Sequence, residues 1–400
     1  MKILGYSLAI LILGLAVSLR ISWQESEQIL PKREQVKLVA TIKKEPKIYN
    51  SSQVLQIADG RIYVDLYPRY KVGDRVEVTG EFDDQGKMFN GQVKKIGKRE
   101  GLASYLAGLR DKISQNIGAL LPSREATLVA GTVLGVNTIE KSFQDELIKT
   151  GTIHVVVVSG QNLMIVAGIF LALAKYLGKR QSLALAITAA VGYALLTGFE
   201  PPVVRATLMV LASSLAIYFG RQSWPIWNLI LAALIIIFFW PQAIFEISFQ
   251  LTFAATMGIV TLGQFLARSW KKFPFFGQNA AIATSAYIFT APIILFYFGR
   301  LSLTAPLANI LVAEAVFPVM ILGFLIAILS LILMPLAQIL AYLAYIPAFY
   351  FVKVVEVFAK IPVGQVSLGK GSLAMVIGFY VLLLVLIFVW RKQSKSKRKV

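Results

Sequence analysis

Residues 305–334 read APLANILVAEAVFPVMILGFLIAILSLILM, with one ionisable side chain, Glu314. A helix needs about 20 mostly apolar residues to cross ~30 Å of hydrocarbon, and this run exceeds that. The same pattern recurs on both sides of it. Spans are predicted at 152–177, 182–199, 203–220, 225–240, 244–267, 280–298, 305–334, 336–359 and 372–390. Residues 3–19 follow Lys2 and precede Arg20-Ile21-Ser22-Trp23, which offers no small-x-small cleavage site, so 1–20 reads as an uncleaved anchor. With the anchor there are ten. A composition of 57% hydrophobic and 15% charged residues suits a polytopic α-helical membrane protein and not a soluble domain.

An even number of spans puts both termini on one side. Lys2, the 175–180 loop, Arg221, the 268–272 loop and the tail together hold 14 Lys and Arg, whereas the opposite short loops hold only Arg300, Lys360 and Lys370. Basic residues accumulate in cytoplasmic loops. Both termini are therefore expected in the cytoplasm of a cell inner (plasma) membrane protein. The same loops account for most of the net charge of +19. There is no cysteine, which removes disulfides and thiolate chemistry.

Between Val36 and Ile96 the period changes to two. Segments such as Arg61-Ile62-Tyr63-Val64-Asp65-Leu66 alternate, and Asp59-Gly60, Val72-Gly73-Asp74 and Asn90-Gly91 supply turns. Five or six short strands predict a small OB-like β-barrel over 35–98, outside the membrane. Over 101–122, Leu102, Tyr105, Leu106, Leu109, Ile113, Ile117, Leu120 and Leu121 mark an apolar stripe, with Arg110, Asp111, Lys112, Ser114 and Gln115 placed opposite. That helix is expected to lie in the membrane interface. Residues 127–136 are too short to span and read as a re-entrant or buried turn. A core over 123–335, further helices over 336–391 and a basic cytoplasmic tail over 392–400 complete the predicted domains.

Polar groups inside membranes are costly, so they become candidates for function. His154 opens the 152–177 span, and Ser159, Gly160 and Asn162 interrupt it after a run of valines, which predicts a broken helix. A polar helix–helix contact is the plainer reading. Arg205 lies one turn into its span, where it snorkels or pairs inside the bundle. Glu246 and Gln250 share a helical face, as do Ser248 and Thr252, and an Arg205–Glu246 ion pair is geometrically open. Pro292 should kink its helix. Asn309 and Glu314 are five apart and align poorly. Residues 20–100 carry 16 Lys and Arg against 12 Asp and Glu. Tyr63, Tyr67, Arg69, Lys94 and Lys95 are the candidate nucleic-acid contacts there, with Tyr49, Tyr70, Phe82 and Phe89 further aromatics. Aromatics on short strands more often fill a core. One histidine gives no metal constellation, and no phosphate-binding loop, GxGxxG or Gly-x-Ser-x-Gly is present. No cofactor and no enzymatic activity are expected.

Several blocks resemble the ComEC family of competence proteins. Leu134-Gly135, Gly151-Thr152-Ile153-His154 and Ser159-Gly160 are similar to its t-G-l-H … S-G-l-H signature, with Asn162 where the second histidine is expected. Pro201-Pro202-Val203-Val204-Arg205-Ala206-Thr207-Leu208-Met209 resembles its P-x-x-R-A-x-x-M block. Pro241, Glu246 and the run from Phe249 to Gly258 resemble another, with Ser248 in place of a glycine. Ala291-Pro292, Phe298-Gly299 and Pro306-Leu307-Ala308-Asn309 follow in the family's order. The resemblance implies a channel passing single-stranded DNA into the cytoplasm, driven by a cytoplasmic helicase-like motor or the proton gradient. The family often carries a metallo-β-lactamase-like domain; no H-x-H-x-D-H motif is present, so a separate nuclease is implied. The alternatives are a transporter of a small molecule or lipid-linked precursor, and a non-transporting envelope scaffold.

Overall fold

The computed structural model describes residues 35–396, apart from 43–45, 50–51, 58–59, 84–85, 90, 99–100, 137–138, 158, 220–224, 271–276, 363 and 370. The anchor and the last four residues of the tail lie outside the described residues. Two compact units are present: residues up to 115 together with 192–199, and residues 116–191 together with 200 onward.

Seven strands build the first unit: β1 (Gln35–Thr41), β2 (Lys47–Tyr49), β3 (Ser52–Ile57), β4 (Gly60–Asp65), β5 (Asp74–Glu81), β6 (Lys87–Phe89) and β7 (Gln92–Lys98). They pair as a three-stranded sheet in the order β1-β5-β7 and a four-stranded sheet in the order β2-β3-β4-β6. Among the described residues these sheets do not close into a barrel. Alternation explains the core: Leu55, Ile62, Val76, Val78 and Met88 turn inward, and Arg61, Arg75 and Phe89 turn outward. Burying each large apolar side chain supplies about 1.5–3 kcal/mol. In α1 (Leu102–Leu120), Arg110 is buried and Leu102 and Tyr105 are exposed, which corrects the stripe drawn from sequence. Arg110 falls three and seven residues before Ile113 and Ile117, so it shares their face. Its guanidinium packs on Gly198.

The second unit is helical. It holds α2 (Ser123–Leu134), α3 (Lys141–Lys149), α4 (Ile153–Val156), α5 (Gly160–Ala172), α6 (Ala174–Leu177), α7 (Lys179–Leu196, running across the unit boundary) and α8 (Pro201–Tyr218). It continues with α9 (Pro225–Phe239), α10 (Ile247–Gly258), α11 (Gln264–Ser269), α12 (Gly277–Phe298), α13 (Ala305–Leu329), α14 (Met334–Ala359) and α15 (Leu373–Ser396). A two-stranded ribbon of β8 (Arg300–Ser302) and β9 (Gln365–Ser367) joins two of the helix connections. Among the described residues, five helices are long and apolar enough to cross a membrane: Gly160–Leu177, Ile247–Ser269, Gly277–Phe298, Ala305–Leu329 and Met334–Ala359. Pro202–Tyr218, Ile226–Phe239 and Leu373–Leu383 are apolar but shorter.

Residues 127–136, read from sequence as a re-entrant or buried turn, instead belong largely to α2. This helix is buried from Glu125 to Leu134, and it packs on α13 and α14. Glycines allow a close approach at two of its contacts, with α4 and with α13. A Cβ on Gly131 would stand 2.5 Å from the Val156 carbonyl oxygen, and one on Gly323 would stand 2.7 Å from Val133. Pro292 lies inside α12, which continues through it, and Tyr380 donates a 2.6 Å hydrogen bond to the Phe289 carbonyl one turn earlier.

Candidate functional site

The predicted break is present: α4 stops at Val156, Val157 and Ser159 are extended, and α5 starts at Gly160. β-Branched residues resist helix and leave little to oppose the break. Ser159 Oγ donates to Asn162 Oδ1 at 3.0 Å, and Asn162 Nδ2 donates to the Thr132 carbonyl at 3.0 Å. Asn162 is only 1% exposed. It therefore fastens the broken helix to α2. His154 lies on the short α4, ahead of the break. A Cβ on Gly160 would meet Ala206 of α8 at 3.2 Å, so the restart of the helix packs one residue from Arg205.

Arg205 is 5% exposed and does not snorkel. Its Nη2 donates to the Ser248 carbonyl at 3.0 Å and to Thr252 Oγ1 at 2.8 Å, and Thr252 Oγ1 itself donates to the Ser248 carbonyl. The guanidinium carbon lies 5.8 Å from the centre of the Phe249 ring. The helical pair that meets Arg205 is thus Ser248 and Thr252. Glu246 stands exposed ahead of α10, and among the described residues no ion pair joins it to Arg205. Gln250 turns back to donate to the Ile244 carbonyl. Nε of Arg205 is buried and has no hydrogen-bond partner among the described residues. A cavity of about 10 Å³ beside Arg205 is otherwise walled by Met209, Leu229, Ala232, Ala233, Phe249 and Phe253, room for one water-sized group.

Asn309 Nδ2 donates to the Ala305 carbonyl at 2.8 Å and reaches the Gly151 carbonyl at 3.4 Å, while its Oδ1 is buried without a partner among the described residues. Gly151 has φ +67° and abuts Ala305, so a side chain there would be strained and crowded. Glu314 accepts from Asn279 at 2.6 Å. Sequence reading missed Arg124, which bridges Glu146 of α3 at 3.0 Å and Glu356 of α14 at 2.9 Å. No local spacing connects residues that far apart in the chain.

The β unit holds the other candidates. Gln53 is 1% exposed, and its Nε2 donates to the carbonyls of Asp65, Leu66 and Pro68, while its Oε1 accepts the Tyr70 amide. That fixes the loop presenting Tyr67 and Arg69, whose guanidinium lies 5.7 Å from the Tyr67 ring centre. Tyr63 stacks on Phe89 at 4.6 Å and 14°. Lys95 pairs with buried Asp74 at 2.7 Å, and Lys37 pairs with Glu77 at 2.6 Å. The hydrogen bond and charge of Lys37, assisted by Lys94, hold the Glu77 carboxyl below its ordinary range. Burial, with the Asp74 charge beside it, pushes the Tyr70 phenol up.

Residues 133–393 match the competence protein family. ComE operon protein 3 of Bacillus subtilis (strain 168) is 24% identical to the chain over 225 residues, which are 55% of this chain and 28% of that protein. The chain therefore spans well under half the length of that relative. No solved structure matches it.

Proposed function

The chain belongs to the competence protein family, and on that premise we propose that it is a membrane component of DNA uptake, passing single-stranded DNA into the cytoplasm during natural transformation. The observation that carries this reading is the family match over 133–393, which contains the broken helix, Arg205 and Asn309. In this proposal ten spans cross the membrane, both termini are cytoplasmic, and the β unit, OB-like in function though not closed, meets DNA outside. Arg205, with a guanidinium edge unfilled by protein in an apolar surrounding, lies along the path. The chain performs no chemistry on the strand; a cytoplasmic motor or the proton gradient drives it, and a separate nuclease removes the complement. Deleting the gene should abolish entry of labelled DNA into the cytoplasm. Normal uptake and integration in the deletion strain would overturn the proposal.

One observation favours a second reading, a transporter of a small molecule or lipid-linked precursor. Asp74 and Glu77 neutralise Lys95 and Lys37, which weakens a polyanion's hold on the three-stranded sheet. Under that reading the protein shows no salt-dependent affinity for oligonucleotides.

A further inference from the structure

The two sheets of the β unit offer a nucleic acid different chemistry. On the three-stranded sheet, β7 carries Lys94, Lys95 and Lys98, of which Lys95 is tied to Asp74. This is a charged strand without an aromatic residue of its own. On the four-stranded sheet, β4 and β6 pair in parallel with Arg61 opposite Lys87 and Tyr63 opposite Phe89. In that register all four side chains leave the same face, since Ile62 and Met88 between them are fully buried. The Tyr63–Phe89 stack confirms the direction. Phe89 nevertheless stays 59% exposed, so one of its ring faces is covered by Tyr63 and the remainder is open. Tyr67 is 70% exposed and Arg69 lies over it, on the loop that Gln53 holds through four hydrogen bonds.

Exposed rings on a rigid frame are costly to leave in water, and here they alternate with guanidinium groups. A stacked base supplies the missing contact and its phosphate meets the cation. Bases paired inside a duplex cannot present their faces to a ring. A purely cationic strand, in contrast, holds either form of the polymer by its phosphates.

We propose that the outward face of β4 and β6 with the Tyr67 loop is a base-stacking platform that discriminates single-stranded from double-stranded nucleic acid. Phe89 and Tyr67 receive bases, Tyr63 braces Phe89 from behind, and Arg61 and Arg69 contact phosphates. This rests on the DNA-uptake reading and adds to it where the strand's form is recognised.

The test uses the full chain in nanodiscs of neutral lipid, with fluorescence anisotropy on a labelled thymidine oligonucleotide and on a duplex of the same length. F89L and Y67L should each lower single-strand affinity about fivefold or more, the lower end of what one stacked base supplies, and leave duplex affinity unchanged. F89W should retain it, which separates loss of the ring from loss of fold. K94E together with K98E should weaken both forms alike. Single-strand affinity unchanged in F89L and Y67L overturns the platform, as does a parallel loss for duplex. So does loss of binding to anionic vesicles alone, since the rings would then be membrane anchors. A deletion strain that loses uptake while F89L and Y67L bind normally sinks the platform and leaves the function standing.

Discussion

Gln53 in the β unit and Arg205 in the helical unit solve the same problem and finish it differently. Each is a buried polar side chain that binds backbone carbonyls. Gln53 fills both of its ends, giving three carbonyls to Nε2 and one amide to Oε1. Among the described residues Arg205 bonds through Nη2 and leaves Nε buried without a hydrogen-bond partner beside a cavity. An unfilled buried donor costs about 1–3 kcal/mol, so it persists where something outside the protein fills it or where function requires it. A saturated amide is a clamp, and a guanidinium with an open edge keeps capacity to bind.

The largest effect should come from removing the clamp. Gln53→Leu keeps the bulk but strands the Tyr70 amide and the carbonyls of Asp65, Leu66 and Pro68. The cost should be ~3 kcal/mol, since several buried groups lose partners at once. Limited proteolysis of the full protein should show the 65–70 loop cut first. A variant as resistant as the parent would mean that Gln53 is not the clamp, and the comparison with Arg205 would collapse.

The contrast also explains what was legible in the sequence. Gln53 sits in an ordinary alternating strand, and nothing local marks it as buried; only the β3–β4 register brings Asp65 to it. Arg205 and the break between α4 and α5 were legible because a charge or polar cluster stands out against apolar helices. Their partners were not. Glu246 looked the natural mate of Arg205 by charge, but it stands exposed at the N-cap position of α10 without a capping hydrogen bond, and Arg205 donates to the backbone carbonyl of Ser248. The stripe on α1 failed for a related reason: polarity placed Arg110 on the solvent side, whereas helical geometry put it with Ile113 and Ile117. The long apolar helices needed no partners to be recognised, and five of them stand as expected. The β unit's strands were legible from alternation, but pairing into two sheets depends on register that no single strand encodes.

A smaller effect on stability, with a larger one on function, should follow Arg205→Met. Methionine fits the apolar wall and removes the bare Nε, so the loss of hydrogen bonds to Ser248 and Thr252 is partly offset. Thermal unfolding in detergent should register ~1–2 kcal/mol, near what a charged hydrogen bond contributes. Uptake of labelled DNA into the cytoplasm should nevertheless fall by at least tenfold. Full uptake by a stable R205M protein would make Arg205 a clamp like Gln53.

The smallest effect belongs to a pair that neither clamps nor waits for a ligand. Glu77 on β5 faces Lys37 on β1 and Lys94 on β7, at the surface of the three-stranded sheet. Its carboxyl is held below the ordinary 4.5, first by the hydrogen bond from Lys37 and then by the charges of Lys37 and Lys94. A depressed acid is favoured in its ionised form by the folded state. Its contribution is therefore complete above the unfolded pKa and disappears as the pH falls through the lower, folded one. Glu77→Gln removes that contribution, so parent and variant should differ slightly at pH 7 and converge as the pH falls below the folded-state pKa. Salt should narrow the gap at neutral pH, because exposed pairs are screened. Melting curves at pH 7 and pH 3, each at low and high salt, measure all of this. A gap that did not shrink on acidification would show that Glu77 acts through packing. The same substitution frees Lys37 and removes a counter-charge from Lys94, so E77Q should also bind a single-stranded oligonucleotide slightly more tightly at low salt, with no change in its preference over duplex. A changed preference would move strand discrimination from the aromatic face to the charged sheet.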